Sequence, residues 1–141
     1  MRPETLPRGV RNCNPGNIRR SAVRYLGEIV PSGDPEFRQF RSMAWGFRAL
    51  FVLLETYRRR YGLRTVAQII TRWAPPTENH TESYIRRVAA ALGRAADTPL
   101  DLDDPATAQG LAAAIATVEC GMAPDPGDVE AGWKLFRDHP A

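Results

Sequence analysis

The stretch from Leu111 to Pro124 sets the tightest constraint on the fold. It is apolar almost throughout, and Leu111, Ile115, Val118 and Met122 fall along one helical face. Asp104 offers an N-cap oxygen, Pro105 fits the first helical position and Gly121 fits the stop. The pattern therefore predicts a helix over Pro105–Gly121 that packs in the core. Glu119 falls beside Val118 and four residues after Ile115, at the edge of the apolar stripe. Partial burial disfavours the charged form of a carboxyl, the condition under which a glycosidase keeps a general acid ready. On spacing alone, however, a Glu near a helix end simply points to water.

Other segments carry the same helical signature. Ser42 can cap a long helix in which Phe47, Leu50, Phe51, Leu54, Tyr57 and Tyr61 recur at helical spacing, with Arg58, Arg59 and Arg60 near an end marked by Gly62. Thr65 can cap a shorter helix with Val66, Ile69, Ile70 and Trp73 inward, stopped by Ala74-Pro75-Pro76. Asn79 or Thr81 opens the next, carrying Tyr84, Ile85, Val88 and Leu92 to Gly93. With Asn79 as the cap, Glu82 stands at capping-box spacing. Asp125 or Asp128 starts a last helix with Val129, Trp133 and Phe136. Trp45 reads as a core residue.

The N-terminal third reads differently. Residues 1–7 form a loose arm of charges and prolines. Arg8 to Arg19 reads as a loop, where Asn14-Pro15-Gly16-Asn17 demands a tight turn and Gly16 can take positive φ. The Asn14 and Asn17 side chains either line a cleft or bond their own backbone. From Tyr25 to Phe40, aromatic and apolar residues are punctuated by Gly27, Pro31, Gly33 and Pro35, which predicts a small hairpin. Glu28 and Asp34 lie there, either as solvated loop charges or as the second acid of a glycosidase pair. The chain thus reads as a mainly α single domain with a small irregular β region.

A 141-residue chain with 43% hydrophobic content can bury one sizeable core. No apolar run approaches a membrane span, and the first twenty residues lack the apolar centre of a classical signal peptide. Cys13 and Cys120 match no zinc or thioredoxin spacing, so neither a metal nor another cofactor is expected. The net charge of +3 comes from 19 basic and 16 acidic residues, and all the basic ones but Lys134 are arginine. They are scattered without a recognised nucleic-acid motif, so neither nucleic acid nor membrane is expected as a partner; a basic surface does suit an anionic bacterial wall.

Three groups of residues carry a resemblance. Ala114-Ile115-Ala116-Thr117-Val118-Glu119-Cys120-Gly121-Met122-Ala123-Pro124 resembles the helix of lytic transglycosylases that bears the catalytic Glu, with Cys120 where that family usually has Ser. Thr81-Glu82-Ser83-Tyr84-Ile85-Arg86-Arg87-Val88 resembles the family's late Glu-Thr-x-x-Tyr-Val segment. The Asn14–Asn17 turn, Phe37-x-x-Phe40, Trp45-Gly46-Phe47-Arg48-Ala49 and Trp73-Ala74-Pro75-Pro76-Thr77-Glu78-Asn79 resemble small phage virion-associated peptidoglycan-degrading proteins, over residues 8–136.

The resemblance implies a lysozyme-like domain over residues 8–141. The Glu helix here follows the β region and the Tyr helix instead of preceding them, so the implied topology is circularly permuted. It further implies cleavage of the β-1,4 glycosidic bond of peptidoglycan by Glu119 as a single general acid and base. Asn14, Asn17, Tyr25, Trp73, Glu78, Asn79 and Tyr84 would hold the glycan strand. The alternatives are a hydrolytic muramidase using Glu28 or Asp34 as second carboxylate, and a non-catalytic virion structural or wall-binding protein. Other virion or secretion-apparatus proteins are possible partners. The expected location is the virion, or the bacterial wall or periplasm reached by a non-classical route.

Overall fold

A computed structural model describes residues 6–77 and 79–140. The chain is mainly helical. A short α1 (Arg8–Arg11) precedes a two-stranded antiparallel sheet of β1 (Glu28–Ile29) and β2 (Gln39–Phe40), followed by α2 (Met43–Tyr61), α3 (Val66–Trp73), α4 (Thr81–Leu92), α5 (Pro105–Cys120) and α6 (Pro126–Asp138). In the sheet Glu28 pairs with Phe40 and Ile29 with Gln39, and an isolated bridge joins Arg19 to Phe37.

Local chemistry fixes most helix ends. Ser42 accepts from the Trp45 N–H, Thr65 from Gln68 in a capping box, Asp104 from Thr107 and Asp125 from Gly127. Gly62, Gly93 and Gly121 end α2, α4 and α5 in the left-handed conformation. The opening of α4 differs from the sequence expectation. Its N-cap is His80, with no side-chain cap bond. The Thr81 hydroxyl donates instead to the Ala74 carbonyl, tying the end of α3 to the start of α4, and the Asn79 amide donates to the Pro75 carbonyl. Glu82 is an exposed first-turn acid, not half of a capping box.

α5 is the central element, packed against α4, α6, α1 and α2. It is buried on more than one side: Leu111, Ala112, Ile115 and Ala116 are inaccessible or nearly so, while Ala108, Ala114 and Cys120 are also buried. A helix apolar all round belongs in the interior, and truncating a side chain like Ile115 there costs about 2–5 kcal/mol. Met122 departs from the predicted stripe; it lies beyond the Gly121 cap and is 40% exposed. α6 lies along α2, where Phe51 meets Trp133 edge-on at 5.0 Å and Phe136 at 6.0 Å.

A second, smaller cluster of Ile18, Phe40 and Ala49 seats the N-terminal region on α2, with Trp45 and Trp73 partly buried against it. Trp45 is thus at the margin of the core, its ring beneath the backbone at Gly27. Arg8–Arg11, within the stretch read as a loop, is helical. The turn that follows also departs from expectation: the left-handed residues are Cys13 (φ 51) and Asn17 (φ 48), not Gly16. Asn tolerates that region because its short amide bonds locally. Gly16 is needed for space, since a Cβ there would stand 2.8 Å from the Trp73 ring. Gly46 serves the same turn from below, where a Cβ would meet the Cys13 carbonyl at 2.1 Å.

Candidate active site

Glu119 occupies the last turn of α5, and its carboxylate is held from two directions. The Tyr84 hydroxyl, on α4, donates to Oε2 at 2.9 Å. The Asn17 Nδ2, from the N-terminal turn, donates to Oε1 at 3.1 Å and to the Glu119 main-chain carbonyl at 3.3 Å. Tyr84 is 6% exposed. Burial first, then the neighbouring Glu119 charge, holds its phenol well above the usual range, so it stays a donor.

Open space lies on both sides of this carboxylate. A cleft of about 320 Å³ is lined by Asn17, Ile18, Arg19 and Phe37 from the N-terminal region, by Leu53, Tyr57, Trp73, Pro75 and Asn79, and by Glu119. A second depression on the far side of Glu119 is lined by Asn79, His80, Ser83, Tyr84, Arg87 and Val118. Glu119 and Asn79 border both. Among the described residues, no other carboxylate lines either space. The arrangement offers one fixed acid, an aromatic shelf of Trp73, Tyr57 and Phe37, and amide groups at the rim.

The residues singled out from sequence divide sharply. Asn17, Trp73, Asn79 and Glu119 share the cleft. Trp73 also packs against both hydrophobic clusters and meets Tyr57 edge-on at 6.2 Å. Tyr84 lines the second depression with its hydroxyl committed to Glu119, which makes it a positioning residue and not a saccharide shelf. Glu78 lies outside the described residues.

Asn14 is elsewhere. It is fully buried, its Nδ2 donating to the Ile18 and Arg38 carbonyls at 3.0 Å while its Oδ1 accepts from the Ile18 N–H at 2.9 Å. Every strong contact is to backbone, so Asn14 pins the turn and has nothing left for a ligand.

Glu28 and Asp34 are likewise committed to the fold. Glu28 makes a 2.6 Å ion pair with the buried Arg38 and accepts from the Tyr25 N–H. Asp34 caps the turn at Glu36 and Phe37, accepts from Asn12 and pairs with Arg8 at 3.3 Å. The Glu36 N–H first, with the Asn12 amide and the Phe37 N–H, holds its carboxyl below the usual range. Neither borders the Glu119 cleft. Tyr25 faces a different cavity, under Arg38, whose guanidinium sits 4.8 Å from its ring centre.

Phe37, Leu53 and Tyr57 were missed as site residues. Leu53, Tyr57 and Tyr61 recur every four residues on α2, one stripe round from the Phe47, Leu50, Leu54 face, and that second stripe was readable as a non-core surface. Cys120, beside Glu119, is buried against the Pro15 carbonyl at 3.7 Å. Burial, then the Glu119 charge, pushes its thiol up to about 11. Among the described residues no cluster of His, Cys, Asp and Glu is placed to hold a metal. None of the described helices is long and apolar enough to cross a membrane.

No known family profile matches the chain. It is similar to Protein P5 of Pseudoalteromonas phage PM2, 43% identical over 89 residues, which cover 61% of this chain and 56% of that one. The chain therefore spans about half the length of this phage relative.

Proposed function

We propose that this is a lysozyme-like domain of circularly permuted topology that cleaves the β-1,4 glycosidic bond of bacterial peptidoglycan, with Glu119 as its single acid and base. The observation that carries the reading is the Glu119 carboxylate, fixed at both oxygens by Tyr84 and Asn17 at the junction of two open clefts. Held carboxylates of this kind are how proton transfer is aimed at one atom.

In the proposed reaction Glu119 gives its proton to the departing glycosidic oxygen as the C1–O4 bond breaks. The resulting carboxylate then takes the proton of the same sugar's C6 hydroxyl while C1–O6 forms. The product is a 1,6-anhydro sugar, no water is consumed and Glu119 returns to its starting state. A hydrolytic muramidase needs a second carboxylate across the scissile bond. Glu28 and Asp34 are spent on Arg38 and Arg8, which favours the one-acid route. Trp73, Tyr57 and Phe37 would stack on sugar faces, with Asn79 at the rim. The similarity to a phage protein supports a setting at the virion or the host wall.

The test is digestion of purified peptidoglycan with mass analysis of the released fragments. Anhydro ends, lost in Glu119→Gln with a rate drop of about 10²- to 10⁴-fold, are the expected result. Reducing ends would indicate hydrolysis, and no release at all would leave the non-catalytic wall-binding reading.

A further inference from the structure

On the other side of Leu53, α2 presents a row at four-residue spacing, Arg48, Val52, Thr56 and Arg60, to a cavity of about 760 Å³ closed by the 23–30 segment. Three arginines line it, Arg24, Arg48 and Arg60. Its one acid, Glu28, is already neutralised by Arg38 at 2.6 Å. Arg24 and Arg60 are exposed, and neither makes an ion pair among the described residues.

Arg48 is the unusual member. It is 1% exposed, and its partner among the described residues is the His139 carbonyl, reached by Nε at 3.1 Å and Nη2 at 2.6 Å. A carbonyl carries no full charge, so among the described residues this buried cation has no anion as its partner. Leu53 borders both this cavity and the Glu119 cleft, so the two are neighbours on either side of one side chain.

We infer that the Arg24–Arg48–Arg60 cavity binds the carboxylates of a short peptide branch, the stem peptide of the polymer whose glycan lies against Glu119. The inference rests on the glycan-cleaving reading for the identity of the polymer. Charge selects an anion, the volume admits several residues rather than a lone ion, and a position one side chain away from the cleft suits a branch of the cleft's own ligand. Exposed Val23, Leu26 and Val30 rim the cavity and offer apolar contact to small side chains of such a peptide.

The experiment is calorimetric titration of the intact protein with a free wall tetrapeptide, L-Ala-D-Glu-meso-diaminopimelate-D-Ala, at two salt concentrations. Saturable binding is expected, weakened by salt and at least about tenfold weaker in the double variant Arg24→Gln/Arg60→Gln. Both arginines are exposed, so that variant leaves the Arg48–His139 contact and the fold intact. Absence of binding, or equal binding by the variant, overturns the proposal. So does the pattern in which phosphatidylglycerol vesicles sediment the protein and the tetrapeptide does not bind, since the cavity would then serve a lipid surface. The tetrapeptide has no glycosidic bond, so its binding is read independently of Glu119. Tetrapeptide binding without wall cleavage defeats the glycosidase reading alone, and cleavage without tetrapeptide binding defeats this one alone.

Discussion

Asn17 and Glu119 stand 102 positions apart, yet one amide group joins them twice, through the Glu119 side chain at 3.1 Å and its main-chain carbonyl at 3.3 Å. Asn17 also holds a left-handed backbone, so strain and positioning can be separated by choice of substitution. Asn17→Gly keeps the backbone free to adopt φ near 48° and removes the amide. Its wall-cleaving rate is expected to fall about 10- to 100-fold with little change in unfolding temperature. Asn17→Ala is expected to lose the same activity and, in addition, about 1 kcal/mol of stability. Equal rates for wild type and Asn17→Gly would show that the amide does not orient the acid.

Asn14, by contrast, is a structural residue. Asn14→Ala strands the Arg38 carbonyl and the Ile18 N–H beside a fully buried side chain, and leaves the Ile18 carbonyl with the Arg38 N–H alone. A loss of about 3 kcal/mol or more is expected, a drop of roughly 10 °C in thermal unfolding. A shift of a degree or two would mean that water replaces the amide.

Cys120 adjoins Glu119, the proposed acid, but is not a nucleophile in this arrangement. With its thiol pushed up to about 11 and its Sγ buried against Pro15, roughly one molecule in a thousand carries the thiolate at pH 8. Iodoacetamide should leave Cys120 unlabelled in the native protein and label it on unfolding, as read by peptide mass spectrometry. Cys120→Ser should retain wall cleavage, since a hydroxyl can donate to the same carbonyl. Rapid native labelling accompanied by inactivation would point to cysteine chemistry.

Alkaline pH should destabilise the fold. Burial holds the Tyr25, Tyr57 and Tyr84 phenols above their usual value, and Cys120 is raised from 9.0 to about 11. Above about pH 9 the unfolded chain therefore releases protons that the folded chain keeps. Stability is whole below that point and declines as pH rises, by up to about 1.4 kcal/mol per pH unit for each such group. Unfolding temperatures measured from pH 8 to 11 should fall steadily, and a flat profile would contradict burial of these side chains.

What could be read from sequence follows the range of the interaction. Ser42, Thr65, Asp104, Gly62, Gly93 and Gly121 act within four residues of themselves, and each stands where its local chemistry places it. The Asn14–Asn17 turn was legible as a turn, but that Gly16 serves to make room for the Trp73 ring, while Cys13 and Asn17 turn left-handed, depends on packing that sequence spacing does not show. Glu28 and Asp34 could not be told from catalytic acids, because the hairpin brings Arg38 to Glu28 and the packing of α1 brings Arg8 to Asp34. Tyr84 was expected against a glycan strand from the resemblance alone, since no spacing rule links α4 to α5; only packing reveals that its hydroxyl meets Glu119.

The clamp on Glu119 also dates the site within the life of the molecule. Tyr84 reaches it from a helix that docks directly on α5, whereas the Asn17 bond closes a loop across 102 positions, and such distant contacts repay their entropy only once most of the fold exists. A chain whose helices have assembled but whose N-terminal turn has not yet docked holds one carboxylate oxygen and leaves the other in water. Orientation of the Glu119 carboxylate at both oxygens is thus a property of the completed fold, since it needs α4 and the N-terminal turn seated on α5 together.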